Sequence, residues 1–317
     1  MIRFTASRLV EIAAMLVLMS FVIYALIGLM PGDPIDLMRQ ADPRMSAADV
    51  ARLKAVYGLD QPLLARYLGW ARLALGGDLG YSRLFAVPVG SALVAPLGNS
   101  LLLMGSSFVL ALIMALGLGI GAARRPNTRL DAAINLLCFA GVSLPTFWLA
   151  LVLILVFAAG LGWLPASGVA TAGVGDLGDR LRHLVLPVAT LTVASVGGYT
   201  RYVRAAMREA LAQDHVRTAR AKGASEARVI LHHALRSALV PVTTILALSF
   251  GGLVSGALVT ETMFAYPGMG KLIFDAVMGN DYNLALAALL LATTTTMLAN
   301  LAADLTYGWL DPRVSYR

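Results

Sequence analysis

The chain has 317 residues, of which 58% are hydrophobic and only 14% charged, with a mean hydropathy of +0.75. Soluble domains carry about a quarter charged residues, so a water-soluble globule is excluded. The formal net charge of +7 is partitioned among loops rather than gathered on one polar domain, which removes a nucleic-acid surface as its source.

In chain order, the apolar residues fall into six runs, each close to the roughly 20 residues that carry a helix across ~30 Å of hydrocarbon. The runs are Leu9 to Met30, Leu101 to Ala123, Ala133 to Gly160, Leu184 to Thr200, Ser237 to Thr260 and Tyr282 to Ala303. They predict an all-α integral membrane protein with six transmembrane helices. The first run is too long for a secretory h-region, and Pro31-Gly32-Asp33-Pro34 is no cleavage site. Pro145 falls inside the third run and is expected to kink or break it. The fourth run is the shortest.

Between the first two spans, residues 31–96 read as a small helical cap outside the membrane. Ser46 to Tyr57 has helical spacing, with Ser46 as N-cap and Gly58 as stop, and a second helix is expected from Leu63 to Leu75, between Pro62 and Gly76-Gly77. The last external loop contains the turn Tyr266-Pro267-Gly268.

Six crossings place both termini on one side. Arg3 and Arg8, the three arginines of 124–132, the basic residues of 201–236, and Arg313 with Arg317 share that side, whereas the opposite short loops hold Arg180, Arg182 and Lys271. By the positive-inside rule the richer side is cytoplasmic. Cys138 is the single cysteine, so no disulfide forms within the chain.

Enzymatic constellations are missing from the sequence. His232 and His233 are adjacent, which on a helix sets their rings about 100° apart and suits interfacial residues better than joint metal ligands. Gly268-Met269-Gly270-Lys271-Leu272 resembles the end of a phosphate loop, but Ala265 and Leu272 stand where a glycine and a hydroxyl are needed. Glu11 lies inside a span and Glu261 and Asp304 lie at span edges; all three read as carboxylates snorkelling to the interface rather than a proton relay. Gly251, Gly252 and Gly256 in the fifth span include a GxxxG spacing suited to close helix packing. Ser249, Ser255, Thr260 and Thr293 to Thr296 are pathway-lining candidates, with no choice among them.

The connection between the fourth and fifth spans, residues 201–236, is far longer than a crossing requires. Arg201 to Ala221 is rich in helix formers, Lys222-Gly223 supplies a basic last turn and a stop, and Ser225-Glu226 supplies a cap and an acid for a new helix. The expected shape is helix, corner, helix, with Val229, Ile230, Leu231 and Leu235 settling against the membrane face. Arg217, Arg220 and Lys222, with a ridge of Ala219 and Ala221, are expected to project outward as a knob for a partner.

This stretch, DHVRTARAKGASEARVILHHALRSALVPVTT from Asp214 to Thr244, resembles the cytoplasmic loop of permease subunits in ATP-binding-cassette importers of the dipeptide/oligopeptide/nickel group. The general signature of such permeases is EAA, three residues, Gly, nine residues, I-x-L-P. That frame falls on Arg217-Thr218-Ala219, Gly223 and His233-Ala234-Leu235-Arg236, where Ala219, Gly223 and Leu235 match and the Glu, the first Ala, the Ile and the Pro are replaced. The resemblance extends along the chain, through Met30-Pro31-Gly32-Asp33-Pro34, Tyr57-Gly58-Leu59-Asp60-Gln61-Pro62-Leu63, Gly77-Asp78-Leu79-Gly80, Leu144-Pro145-Thr146-Phe147-Trp148, Gly162-Trp163-Leu164-Pro165-Ala166-Ser167-Gly168, Tyr266-Pro267-Gly268-Met269-Gly270 and Leu310-Asp311-Pro312-Arg313.

The resemblance implies a type I importer permease fold in a bacterial cytoplasmic (inner) membrane. It implies as partners a homologous second permease, two cytoplasmic ATPase subunits that hold ATP and Mg²⁺, and an extracytoplasmic solute-binding protein, with no cofactor in this chain. Arg217, Thr218, Ala219, Arg220, Ala221, Lys222, Gly223, Ser225 and Glu226 are then the loop that couples to the ATPase. The solute stays open among di- or oligopeptides, nickel chelates, glutathione and opine-like compounds. The alternative is a proton-coupled carrier working alone.

Overall fold

A computed structural model describes residues 2–29, 46, 48–50, 52, 61–250 and 256–310. Its long helices are α1 (Ile2–Gly28), α3 (Val89–Arg124), α6 (Leu177–Leu211), α9 (Leu235–Phe250) and α12 (Tyr282–Leu310). The short helix α2 (Leu63–Leu75) lies between Pro62 and Gly76, as its flanking residues predict. The only strands among the described residues are β1 (Tyr81–Ser82) and β2 (Val87–Pro88), paired as an antiparallel hairpin just before α3.

Four helices among the described residues are long and apolar enough to cross a membrane, α1, α3, α6 and α12. A fifth candidate is the third apolar run, which does not form one rod. α4 (Arg129–Ser143) and α5 (Thr146–Leu153), the latter continued by a π-helical segment Ile154–Gly160, meet at 99°. Leu144 is held in extended conformation before Pro145, because the proline ring crowds the preceding residue out of helical geometry.

The fifth run is also interrupted. α9 ends at Phe250, and beyond 251–255 the chain resumes with Gly256 at φ 79° and Ala257 outside helical geometry before α10 (Leu258–Met263). α11 (Met269–Met278) then leads through Gly279 to α12. The GxxxG partner Gly252, together with Gly251 and Ser255, lies outside the described residues.

α3 and α6 form the most extensive pairing, and α4 packs along α6. Close approach at the second contact depends on a missing side chain: a Cβ at Gly197 would collide with the Cys138 carbonyl oxygen and come within 2.8 Å of Val142 Cγ2. At one end of the bundle these helices are joined by a bidentate ion pair, Arg204 Nε and Nη2 donating to Asp131 Oδ1 and Oδ2 at 2.7 Å each. Asp131 also accepts from the Asn127 backbone N–H at 2.9 Å and from Asn135 Nδ2 at 2.7 Å, which satisfies a carboxylate that is almost wholly buried.

α12 packs against α1, α9 and α11. A core of Ile23, Ile27, Val89, Leu93, Met269, Leu272 and Leu284 to Ala288 gathers the α1, α3, α11 and α12 ends together. The described part of the expected 46–57 helix shows the anticipated cap: Ser46 Oγ accepts from the Asp49 backbone N–H at 3.2 Å, and Asp49 Oδ2 accepts in return from Ser46 N–H at 3.1 Å. Tyr57 and Gly58 lie outside the described residues.

Candidate functional site

The helical corner expected around Lys222-Gly223 is present, and its geometry is closely specified. α7 (Asp214–Ala221) ends with the Gly223 N–H donating to Arg220 O at 2.9 Å and the Ala224 N–H donating to Ala219 O at 3.2 Å. This pair of bonds is a Schellman closure, and it sets Gly223 at φ 78°, left-handed space that a glycine enters without strain. Ser225 then caps α8 (Glu226–Arg228), its Oγ accepting from the Arg228 N–H at 3.4 Å. The chain continues through a π-helical segment, Val229–Ala234, directly into α9.

A clasp spans the corner. Arg220 Nε donates to Glu226 Oε1 at 2.8 Å and its Nη2 to Oε2 at 3.3 Å. The bond from Arg220, helped by the positive charges of Arg220 and Arg124, holds the Glu226 carboxyl below the usual glutamate range.

The elbow is not an isolated knob. Val216 and Ala219 of α7 are buried together with Val229, Ile230 and Ala234, against Val203, Ala206, Met207 and Ala210 at the end of α6 and Ala238 and Val242 of α9. α6, the elbow and α9 therefore share one closely packed apolar core.

Two expectations are corrected here. Arg201 to Ala221 is not one helix, since α6 stops at Leu211 and the chain turns at Ala212-Gln213. A straight continuation would carry Val216 and Ala219 away from α6; the turn folds them back onto it. Ala219 is consequently a core residue, not part of an outward ridge.

The outward surface consists instead of Arg217, Thr218, Arg220, Ala221, Lys222, Gly223, Ser225 and Glu226, all exposed. Arg217 stands 3.5 Å from Asp214. His232 and His233 meet edge to face at 5.2 Å between ring centroids, with His232 exposed and His233 half-buried. Val229 and Ile230 turn inward as expected, whereas Leu231 is exposed.

A second polar site escaped the sequence pattern. Glu261 is fully buried and does not snorkel. Its Oε1 accepts from Ser100 Oγ at 2.7 Å and from the Ala257 N–H at 3.1 Å, and its Oε2 accepts from the Lys271 N–H at 2.8 Å. Ser100 in turn accepts from the Met269 N–H at 2.7 Å. The carboxylate thus joins α3, α10 and the first turn of α11, where free backbone donors and the positive helix end favour an anion. The glycines at 256, 268 and 270 that crowd this carboxylate were a signal, but only once the turn brings them to it.

Of the other carboxylates, Glu11 is exposed and paired with Arg8 at 2.8 Å, while the Asp304 side chain lies outside the described residues. Among the lining candidates, Thr260 is buried, and Thr293 and Thr295 donate to the carbonyls of Leu289 and Leu291 on their own helix.

Residues 115–316 match the family described as binding-protein-dependent transport system inner membrane component, and residues 1–92 match the N-terminal region of such membrane components. The chain belongs to this family. It is therefore a multi-pass inner membrane protein and a transport subunit rather than a catalyst.

The chain is 40% identical to the oligopeptide transport system permease protein AppB of Bacillus subtilis, over 90% of each chain. It is 35% identical to the di/tripeptide transport system permease protein DppB of Pseudomonas aeruginosa and 34% identical to the glutathione transport system permease protein GsiC of Escherichia coli K12, each over the whole of both chains. The inward-facing MetNI methionine ABC transporter matches with a TM-score of 0.57 at 18% identity, covering 69% of this chain and 96% of that one. That likeness concerns the fold. The family and the permease relatives support an importer subunit over a proton-coupled carrier.

Proposed function

We propose that this chain forms half of the translocation pathway of an ATP-driven importer for di- or oligopeptides. It pairs with a homologous permease, receives solute from an extracytoplasmic binding protein, and is driven by two cytoplasmic ATPases that hold the ATP and Mg²⁺. The exposed tip of the elbow, Arg217 to Glu226, seats in the ATPase, and six crossings leave both termini in the cytoplasm.

The observation that carries this reading is the shared core of α6, α7 and α9 beneath an exposed basic corner. Docking such a corner in a moving partner turns the two long helices as one body, the kind of rigid-body motion that alternates access in transporters. The peptide class is supported by the relatives named for oligopeptide, di/tripeptide and glutathione transport.

The test is reconstitution of the permease pair with its ATPases and binding protein in proteoliposomes. Uptake of a labelled dipeptide should require ATP together with the binding protein. Accumulation by the permease chains alone under a pH gradient would overturn the reading.

A further inference from the structure

We propose that α2 is an interfacial helix bedded in the bilayer along one flank, so that the segment after the first span is held by lipid as well as by protein. The proposal needs only that the chain sits in a membrane, and does not depend on which side α2 occupies or on the solute.

The protein-facing side of α2 is defined by Leu63, Tyr67, Trp70 and Ala74, spaced at i, i+4, i+7 and i+11. Leu63 reaches Gly28 of α1. Tyr67 and Trp70 pack with Phe21 and Tyr24 of α1, at centroid separations of 5.3 to 6.2 Å within the cluster. The Tyr67 hydroxyl lies 2.8 Å from Ser20 Oγ and donates to the Val17 carbonyl at 3.4 Å. α2 is therefore fastened across the last turns of a membrane span, with its tyrosine reaching down along that span. A Tyr and Trp pair at the end of a span is where ring systems mark the membrane boundary.

The flanks beside this fixed side differ in chemistry. Leu64, Leu68 and Leu75 lie on one flank at i, i+4 and i+11, all exposed, and Leu75 is 91% so. The other carries Ala65, Arg66, Gly69 and Arg72, with Leu73 as its single large apolar side chain. Helix α2 contains no acidic residue. Leucines to one side and arginines to the other describe a helix lying in the interfacial plane, with the leucines among acyl chains and the arginines at phosphate level.

The surface beside it fits that occupant. α1 exposes Leu18, Val22, Leu26 and Leu29, an apolar stripe at i, i+4, i+8 and i+11. The leucine flank of α2 extends the same kind of surface where the span ends.

The test uses the full chain in its assembled transporter in nanodiscs, with Leu64→Cys, Leu68→Cys, Leu75→Cys, Gly69→Cys and Arg72→Cys spin-labelled one at a time. Cys138 is buried, so the unsubstituted chain is the labelling blank. Labels at the three leucine positions should collide several-fold more with oxygen than with a water-soluble nickel chelate, and those at Gly69 and Arg72 should show the reverse. All five sites equally open to the nickel chelate would place α2 in water and overturn the proposal. Leucine-site labels shielded from both quenchers would mean a protein subunit covers the flank, and would overturn it too. The three leucine sites are read independently, so one variant that fails to assemble leaves the other two decisive.

Discussion

The Arg220 guanidinium and the Glu226 carboxylate face each other across the Gly223 corner, with 2.8 Å between Nε and Oε1. The corner is thus closed three ways, by a backbone closure, a serine cap and a side-chain clasp, and the first and last of these each predict their own failure.

Gly223→Val forces a β-branched residue into left-handed backbone space. No atom lies within 4 Å of where the new Cβ would stand, so the cost is conformational, about 1–2 kcal/mol. The chain is expected to insert and assemble normally while substrate-stimulated ATP hydrolysis is lost. Unimpaired stimulation in that variant would remove the corner from coupling.

Glu226 sets a pH dependence. Because its folded-state pKa lies below the unfolded value, its contribution is present above the ordinary glutamate range and disappears as the pH falls through the lowered pKa. Corrected for the intrinsic slowing of amide exchange in acid, the protection of residues 220–228 should fall on acidification below that range in the native chain. Glu226→Gln should show lower protection already at neutral pH and little further loss with acid.

Asp131→Ala leaves Arg204 without its bidentate partner between α4 and α6. Removing one member of a mostly buried pair costs about 3–5 kcal/mol, and thermal unfolding in detergent should move down by several degrees. Replacing both residues with apolar side chains of similar size should recover part of the loss. Equal melting for the single and double variants would show that the pair is not a structural tie.

Glu261→Gln keeps the side chain's shape but turns an amide nitrogen toward backbone N–H donors. Leaving such buried donors unsatisfied costs about 1–3 kcal/mol. Limited proteolysis should then cut near Tyr266 to Lys271, while the elbow at residues 214–228 keeps its protection. Protection identical to that of the unsubstituted chain would mean the carboxylate is dispensable to the turn.

The apolar runs of about 20 residues, the bend at Pro145, the extent of α2, the Ser46 cap and the corner at Gly223 could all be read from the sequence, because each depends on residues within a turn or two of one another. Hydropathy, proline sterics, caps and left-handed glycines are local forces, and the chain alone specifies them. Tertiary packing decided the rest. It broke the helix at Ala212-Gln213 to return Val216 and Ala219 to the α6 core, brought Asp131 to Arg204 and Tyr67 to Ser20, and enclosed Glu261 among donors from three segments. Those outcomes join residues far apart along the chain, where burial of apolar surface and satisfaction of buried polar groups outweigh any propensity of the segments taken singly.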